Sequence, residues 1–330
     1  MRLPKSRWLQ WPAWVALGVG AYLVAVGFLG ERTRLPAFDL TEWLSLVAAL
    51  LAHTAAIAAF GLNFIEAASL SGISVSRWGG FKAALVATGV ARLIPAGGVF
   101  TPAAMAWTVR REAPRTGGPA ARATVLAYGS LLVVTGVGAL WAASIGQETT
   151  LSVSMVMLGT ALTVLGGVFW AGSGRLASLV GLLPEGVRKR VSATLIDRPV
   201  TPVEVMTVLA RTGFEVLALG LVLRSVGIDL PVPALLAAYG FSQLVGGLPG
   251  PPGGIGLVEA GLIGALAAFG VDPQTSLPAV LVYRLVSYWI PAAAGLLAGG
   301  AAFVRAGKPT PAEVADSPLL DELETADLQL

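Results

Sequence analysis

Long apolar runs separated by short polar loops set the pattern of the chain. Uncharged or nearly uncharged stretches fall at about 13–30, 43–65, 83–109, 123–145, 151–172, 203–223, 233–270 and 277–304. Most exceed the roughly 18 residues needed to span a bilayer as a helix. Two of them, 83–109 and 233–270, carry Pro/Gly clusters that no continuous helix tolerates: Pro95-Ala-Gly-Gly98 and Pro251-Pro-Gly-Gly254. Broken backbone inside lipid survives only where protein or a wet cavity satisfies its freed N–H and C=O groups, so each break marks a candidate binding site.

Loop charge decides which way the segments run. Counting only Lys and Arg, the successive loops carry three, two, two, four, none, five, one, none and two. The loops flanking each interrupted segment match in charge, so each is expected to enter and leave on one side. The predicted fold is an all-α polytopic membrane protein with six full spans and two oppositely oriented re-entrant hairpins, both termini cytoplasmic. The two Pro-Gly-Gly turns lie 156 residues apart, and the same offset maps 43–65 onto 199–221 and 123–145 onto 279–301. This predicts an inverted repeat, as in many transporters. Residues 1–150 form the first half, with its hairpin at about 83–109. Residues 151–305 form the second, with a cytoplasmic insertion at 173–202 and a hairpin at about 233–270. An acidic, disordered tail is expected over 306–330.

Composition agrees: 55% of residues are hydrophobic and only 12% charged, against about a quarter charged in soluble domains. The basic residues lie scattered in short loops without interleaved aromatics, which points to membrane topology and away from nucleic acid. There is no Cys and a single His, His53. Disulfide and thiol chemistry are excluded, and a histidine-based metal site has too few ligands; His53, on an Ala-rich helix, reads as a packed or hydrogen-bonded residue. No cofactor motif occurs: the Gly-rich runs lack a following Gly-Lys-Ser/Thr. Arg2, Lys5 and Arg7 precede Trp14–Leu29 as in a signal sequence, but Phe28-Leu-Gly-Glu-Arg32 offers no small-x-small cleavage site. That segment is expected to stay as the first helix. The insertion, with apolar residues at helical spacing beside Arg175, Arg188, Lys189 and Arg190, suits helices on the inner leaflet or an ordinary loop.

Ionisable residues at membrane depth need a partner or a wet cavity. Arg284 falls about 10 Å below the outer surface, and Glu259, climbing from a hairpin tip near the midplane, about 8 Å below it. An ion pair or shared pocket is expected, with Tyr283 and Tyr288 nearby. Arg211 and Glu215, four residues apart, are placed to neutralise each other along one helix face. Arg92, three residues before Pro95, suits an anionic headgroup beside Gly97 and Gly98, a pairing with Glu215, or the carbonyls of the break. The candidate substrate-binding set is therefore Arg92, Pro95, Gly97, Gly98, Arg211, Glu215, Pro252, Gly253, Gly254, Glu259, Tyr283 and Arg284. Neither a catalytic nor a metal residue stands out.

Leu248-Pro-Gly-Pro-Pro-Gly-Gly-Ile-Gly-Leu-Val-Glu259, followed by Tyr283-Arg284 and Pro291-x-x-x-Gly295, resembles the lysylphosphatidylglycerol synthase transmembrane-region family, which includes the membrane half of the multiple peptide resistance factor. Arg92-Leu-Ile-Pro-Ala-Gly-Gly98 resembles the family's first Pro-Gly turn, without an acid after Gly98. The resemblance implies a lipid flippase without enzyme activity, in a bacterial plasma membrane. Its partner would be a lipid with an anionic or aminoacylated headgroup or a polyprenyl phosphate. About 25 residues follow the last span, so the soluble aminoacyl-transferase domain is expected to be missing. Two other readings fit: a non-transporting partner of a lipid-modifying or glycosyl-transfer enzyme, and an ion-coupled secondary transporter. Sequence leaves the oligomeric state open.

Overall fold

The computed structural model describes residues 39–94, 97–145, 149–180, 199–247 and 251–306. The predicted first span, the tail and most of the 173–202 insertion lie outside these residues. Ten α-helices are described: α1 Leu40–Leu70, α2 Arg77–Leu93, α3 Thr101–Val109, α4 Gly117–Ile145, α5 Thr149–Val180, α6 Pro202–Ser225, α7 Val232–Gly246, α8 Leu257–Ala268, α9 Pro273–Arg284 and α10 Ile290–Ala306. A π-helical turn, Leu285–Trp289, joins the last two. No strand occurs among the described residues.

Caps fix several helix starts. Asp39 accepts from the Glu42 N–H at 2.9 Å while Glu42 accepts back from the Asp39 N–H at 2.8 Å. Thr201 and Glu204 repeat this box at α6, in the sequence pattern Thr-x-x-Glu. Asp272 caps α9 with Pro273 at its first position.

Four helices are long and apolar enough to cross a membrane: Leu40–Leu70, Gly117–Ser144, Pro202–Ser225 and the continuous Pro273–Ala301. They correspond to four of the six predicted spans. In α5 the apolar stretch is the shorter Val153–Val168, and the helix runs beyond the predicted end at 172. Large apolar side chains such as Leu51, Met157, Met206 and Leu297 point outward and exposed. An apolar surface of this kind is stable against lipid and not against water.

Helices in lipid gain little from hydrophobic burial and associate through close contact of small residues. Gly89 of α2 lies against Gly295 of α10, Gly136 of α4 against Gly159 of α5, and Gly138 of α4 against Leu236 and Ala237 of α7. Both interrupted segments break as predicted. Helices α2 and α3 are joined through a 3-10 turn at Gly97–Phe100, and α7 and α8 through one at Pro252–Gly254. Within each pair the helices pack together; α7 and α8 are antiparallel, Gly246 meeting Val258 and Gly261 meeting Ser242 and Val245. Helix α1 lies against α6, α4 against α7, and α10 against α2. The long helix that follows each broken segment thus packs on the other broken segment.

Candidate functional site

The second break is shaped by three glycines with left-handed backbone, Gly253 (φ +59°), Gly254 (φ +64°) and Gly256 (φ +84°), a conformation other residues rarely adopt. At Gly253 space matters as well, because a Cβ there would press on the Tyr288 ring and the Arg92 carbonyl. The turn is tied down from both sides. Glu259 accepts from the Gly256 N–H at 2.7 Å, capping α8. Its other oxygen accepts from Arg284 Nε at 2.7 Å, while Arg284 Nη2 donates to the Gly253 carbonyl at 3.1 Å. Arg284 and Glu259 are thus the ion pair that matched depth predicted. The guanidinium lies under the Tyr288 ring, 4.1 Å from its centroid.

Tyr288 also joins the two breaks, since its hydroxyl donates to the Arg92 carbonyl at 2.7 Å. It sits on the π-helical turn, whose extra residue re-aims side chains and which occurs often at functional sites. Tyr283, one turn earlier, is fully buried in the same cluster as Leu219 and Leu262.

One sequence expectation is corrected. Arg211 and Glu215 form no ion pair among the described residues. The Glu215 carboxylate lies 2.9 Å from His53 Nδ1, off the axis of an ideal hydrogen bond. Arg211 instead stacks over the Phe60 ring at 4.9 Å. Helical i,i+4 spacing permits the Arg–Glu pair but does not compel it once a closer partner faces the carboxylate from α1. Arg92 has the other side of the same histidine: its Nη2 lies 3.2 Å from His53 Nε2. His53 therefore bridges α2 of the first half to α6 of the second. Nη1 of Arg92 is buried with no hydrogen-bond partner among the described residues.

These groups line one cavity of about 570 Å³ between the two breaks, within the size range of small-ligand sites. Arg92, Arg211, Arg284, Glu215, Gly97, Gly98, Gly253, Gly254 and Tyr283 all contribute to its wall. Glu259 stands behind Arg284. Pro95 lies outside the described residues, and for Pro252 only the backbone is described. Exposed Val99 and Tyr128 flank the cavity. Three arginines face two carboxylates here, an excess of one positive charge among the described residues, with one guanidinium nitrogen unsatisfied. Anions are the ligands such a site accommodates.

A second buried pair escaped the sequence reading. Arg122 Nε and Nη2 donate to Glu204 Oε1 and Oε2 at 2.6 and 2.8 Å, both side chains nearly inaccessible. The Thr201-x-x-Glu204 box is the signal in the sequence that Glu204 is held in place. Glu66 accepts from the Thr201 hydroxyl at 3.0 Å, and Asn63 donates to the Glu204 carbonyl at 3.3 Å. No group of three or more acidic or histidine side chains could hold a metal among the described residues.

The chain resembles several archaeal proteins. UPF0104 membrane proteins of Methanothermobacter thermautotrophicus are 28% identical over 124 residues, covering 37% of each chain, and 31% identical over 107 residues, covering 32% of this chain and 30% of the relative. The aligned part is thus about a third of the length of these curated relatives. No solved structure matches. The family described as the lysylphosphatidylglycerol synthase TM region matches residues 13–295, most of the sequence, and the chain therefore belongs to that family.

Proposed function

We propose that this protein is a lipid translocase that moves a lipid with a phosphate-bearing, anionic headgroup between leaflets. The observation that carries this reading is the cavity where the two broken segments meet, with its excess positive charge and the unsatisfied Nη1 of Arg92. In this reading the two hairpins are re-entrant from opposite sides, within six spans and an inverted repeat. The reciprocal packing of each half's last helix on the other half's hairpin supports that arrangement, and the loop charges orient it with both ends cytoplasmic. The headgroup crosses through the cavity past Arg92 and Arg211, while the acyl chains stay in lipid alongside exposed Val99 and Phe100. The Glu259–Arg284 pair holds the second hairpin's turn in shape and the Tyr288 hydroxyl latches it to the first.

The test is reconstitution of the chain into phosphatidylcholine vesicles that carry trace phosphatidylglycerol labelled on an acyl chain. A membrane-impermeant quencher then reports the rate of appearance in the opposite leaflet. The reading predicts faster movement than in protein-free vesicles, reduced by Arg92→Gln. Equal rates with and without protein reject transport and leave the family fold serving a partner enzyme.

A further inference from the structure

The bridge at His53 has a consequence that rests on the reading of the cavity as a path for an anionic headgroup. A guanidinium only donates hydrogen bonds, so the ring nitrogen facing Arg92 Nη2 at 3.2 Å must offer a lone pair. The partners thus assign the neutral tautomer, with Nε2 unprotonated and the proton on Nδ1, turned toward Glu215. A second proton can bind only at Nε2, the position Arg92 covers. His53 itself is fully buried and is not part of the cavity wall, whereas Arg92 and Glu215 on either side of it are. Water in the cavity therefore reaches Nε2 only when the Arg92 guanidinium swings off it, and protonated Nε2 would in turn repel that guanidinium. A phosphate in the cavity supplies the pull, because Arg92 has an unsatisfied nitrogen and phosphate accepts bidentate pairs from arginine.

We infer that His53 is the proton-binding site of the translocase, and that one proton from the aqueous phase binds its Nε2 lone pair each time a phosphate draws Arg92 away. Binding of the two ligands is mutually favourable, since linkage is reciprocal. The imidazolium's positive charge and the phosphodiester's negative charge cancel, so lipid and proton move together without net charge.

Arg92 and Glu215 meet His53 directly, and the adjoining cavity wall carries charged and titratable groups from several elements. They are Arg211 and Glu215 on α6, Arg92 on α2, Tyr128 on α4, Tyr239 on α7, Tyr283 and Arg284 on α9, and Tyr288 on the π turn. None of these residue types changes charge near neutrality in its ordinary range, as histidine does.

The lone histidine makes the test clean, because every imidazole signal from the full chain reports on His53. In phosphatidylcholine nanodiscs at neutral pH, 15N NMR should show the neutral ring with Nε2 unprotonated. At the same pH, replacing half of the lipid by phosphatidylglycerol should convert a substantial fraction to imidazolium, and Arg92→Gln should abolish the dependence on lipid. The anionic surface draws protons to any group near it in the Arg92→Gln variant as well, so a dependence on lipid that persists in that variant is a surface effect and overturns the inference. A ring that keeps its state in both lipids, or that protonates with inorganic phosphate but not with phosphatidylglycerol, overturns the inference.

In vesicles holding a pH difference of one unit, one-to-one coupling predicts about a tenfold steady enrichment of labelled phosphatidylglycerol in the leaflet facing the higher pH, because 1.4 kcal/mol corresponds to a factor of ten. His53→Gln should abolish the enrichment, and an enrichment that persists in that variant overturns the assignment of the proton to His53. Lipid that moves in the native protein without responding to the gradient refutes proton coupling alone; lipid that does not move at all refutes the translocase reading, and this inference with it.

Discussion

Removing Arg122 should destabilise the protein more than any other single charge deletion outside the cavity. The Arg122 side chain is 2% exposed and that of Glu204 is not exposed at all, and they meet in a two-pronged contact at 2.6 and 2.8 Å. Arg122 Nη2 also donates to the Pro199 carbonyl at 3.0 Å, so the pair fixes the chain entering α6. Two opposed effects decide the outcome. Dehydrating both charges costs several kcal/mol and roughly cancels their attraction, so the pair adds little net stability relative to a neutral substitute. Deleting one partner leaves the other's charge buried without compensation, which costs about 3–5 kcal/mol. Arg122→Met should therefore lower the thermal midpoint in detergent by roughly 5–10 °C.

Adding Glu204→Gln to that variant removes the stranded charge but keeps an amide oxygen to close the capping box with Thr201, and should recover most of the loss. Asp229→Asn offers a matched control: its pair with Arg224 lies at 3.4 Å with both side chains largely exposed, and exposed pairs contribute about 0–1 kcal/mol. The reasoning fails if Arg122→Met unfolds at the wild-type temperature, or if the double variant loses as much as the sum of its two single changes.

Three further outcomes follow from the geometry. Gly253→Ala forces a side chain into left-handed backbone against the Tyr288 ring and the Arg92 carbonyl; it should cost about 1–3 kcal/mol by chemical denaturation and slow lipid movement. Tyr288→Phe keeps the ring over Arg284 but removes the hydrogen bond to the Arg92 carbonyl, so it should cost only about 0.5–1.5 kcal/mol while raising amide exchange at the two turns. Glu112 meets Ser76 at the start of α2, and hydrogen bonding from the Ser76 side chain first, with its N–H second, holds the carboxyl below the ordinary glutamate range. A carboxyl lowered on folding contributes stability above its unfolded value and loses it as pH falls through the folded one. Acidification below the ordinary glutamate range should thus destabilise the native protein more than Glu112→Gln, as read from thermal midpoints against pH.

The broken segments were legible because proline and glycine act locally: Pro251-Pro-Gly-Gly254 and Pro95-Ala-Gly-Gly98 forbid a continuous helix whatever surrounds them. Glu259 and Arg284 were legible for a related reason, since helical rise converts sequence position into depth. Side-chain pairing across elements is set by helix rotation, which apolar periodicity barely constrains when nearly every position is apolar. Arg211 and Glu215 accordingly satisfied the local spacing rule, yet the carboxylate turned to His53 on α1. His53 itself had no motif around it, and its role appears only when residues 39 and 162 positions away arrive on either side. Arg122 was not legible for a different reason: a basic residue between two apolar segments looks like surface until Pro199 and Glu204, at the start of α6, meet it. The start of α9 at Pro273, ahead of Pro278, shows that a proline within the first turns is accommodated, where it displaces few backbone hydrogen bonds.

The central claim is that the cavity between the two hairpins holds a lipid phosphate. An experimental density map of the full chain in nanodiscs containing phosphatidylglycerol tests it most directly. The account predicts a phosphate in the cavity with its oxygens at charge-assisted hydrogen-bond distance, about 2.7–2.9 Å, from the Arg92 guanidinium. It also predicts acyl chains leaving the cavity past Val99 and Phe100. A cavity filled only by water, with ordered lipid confined to the outer faces of the helices, contradicts it.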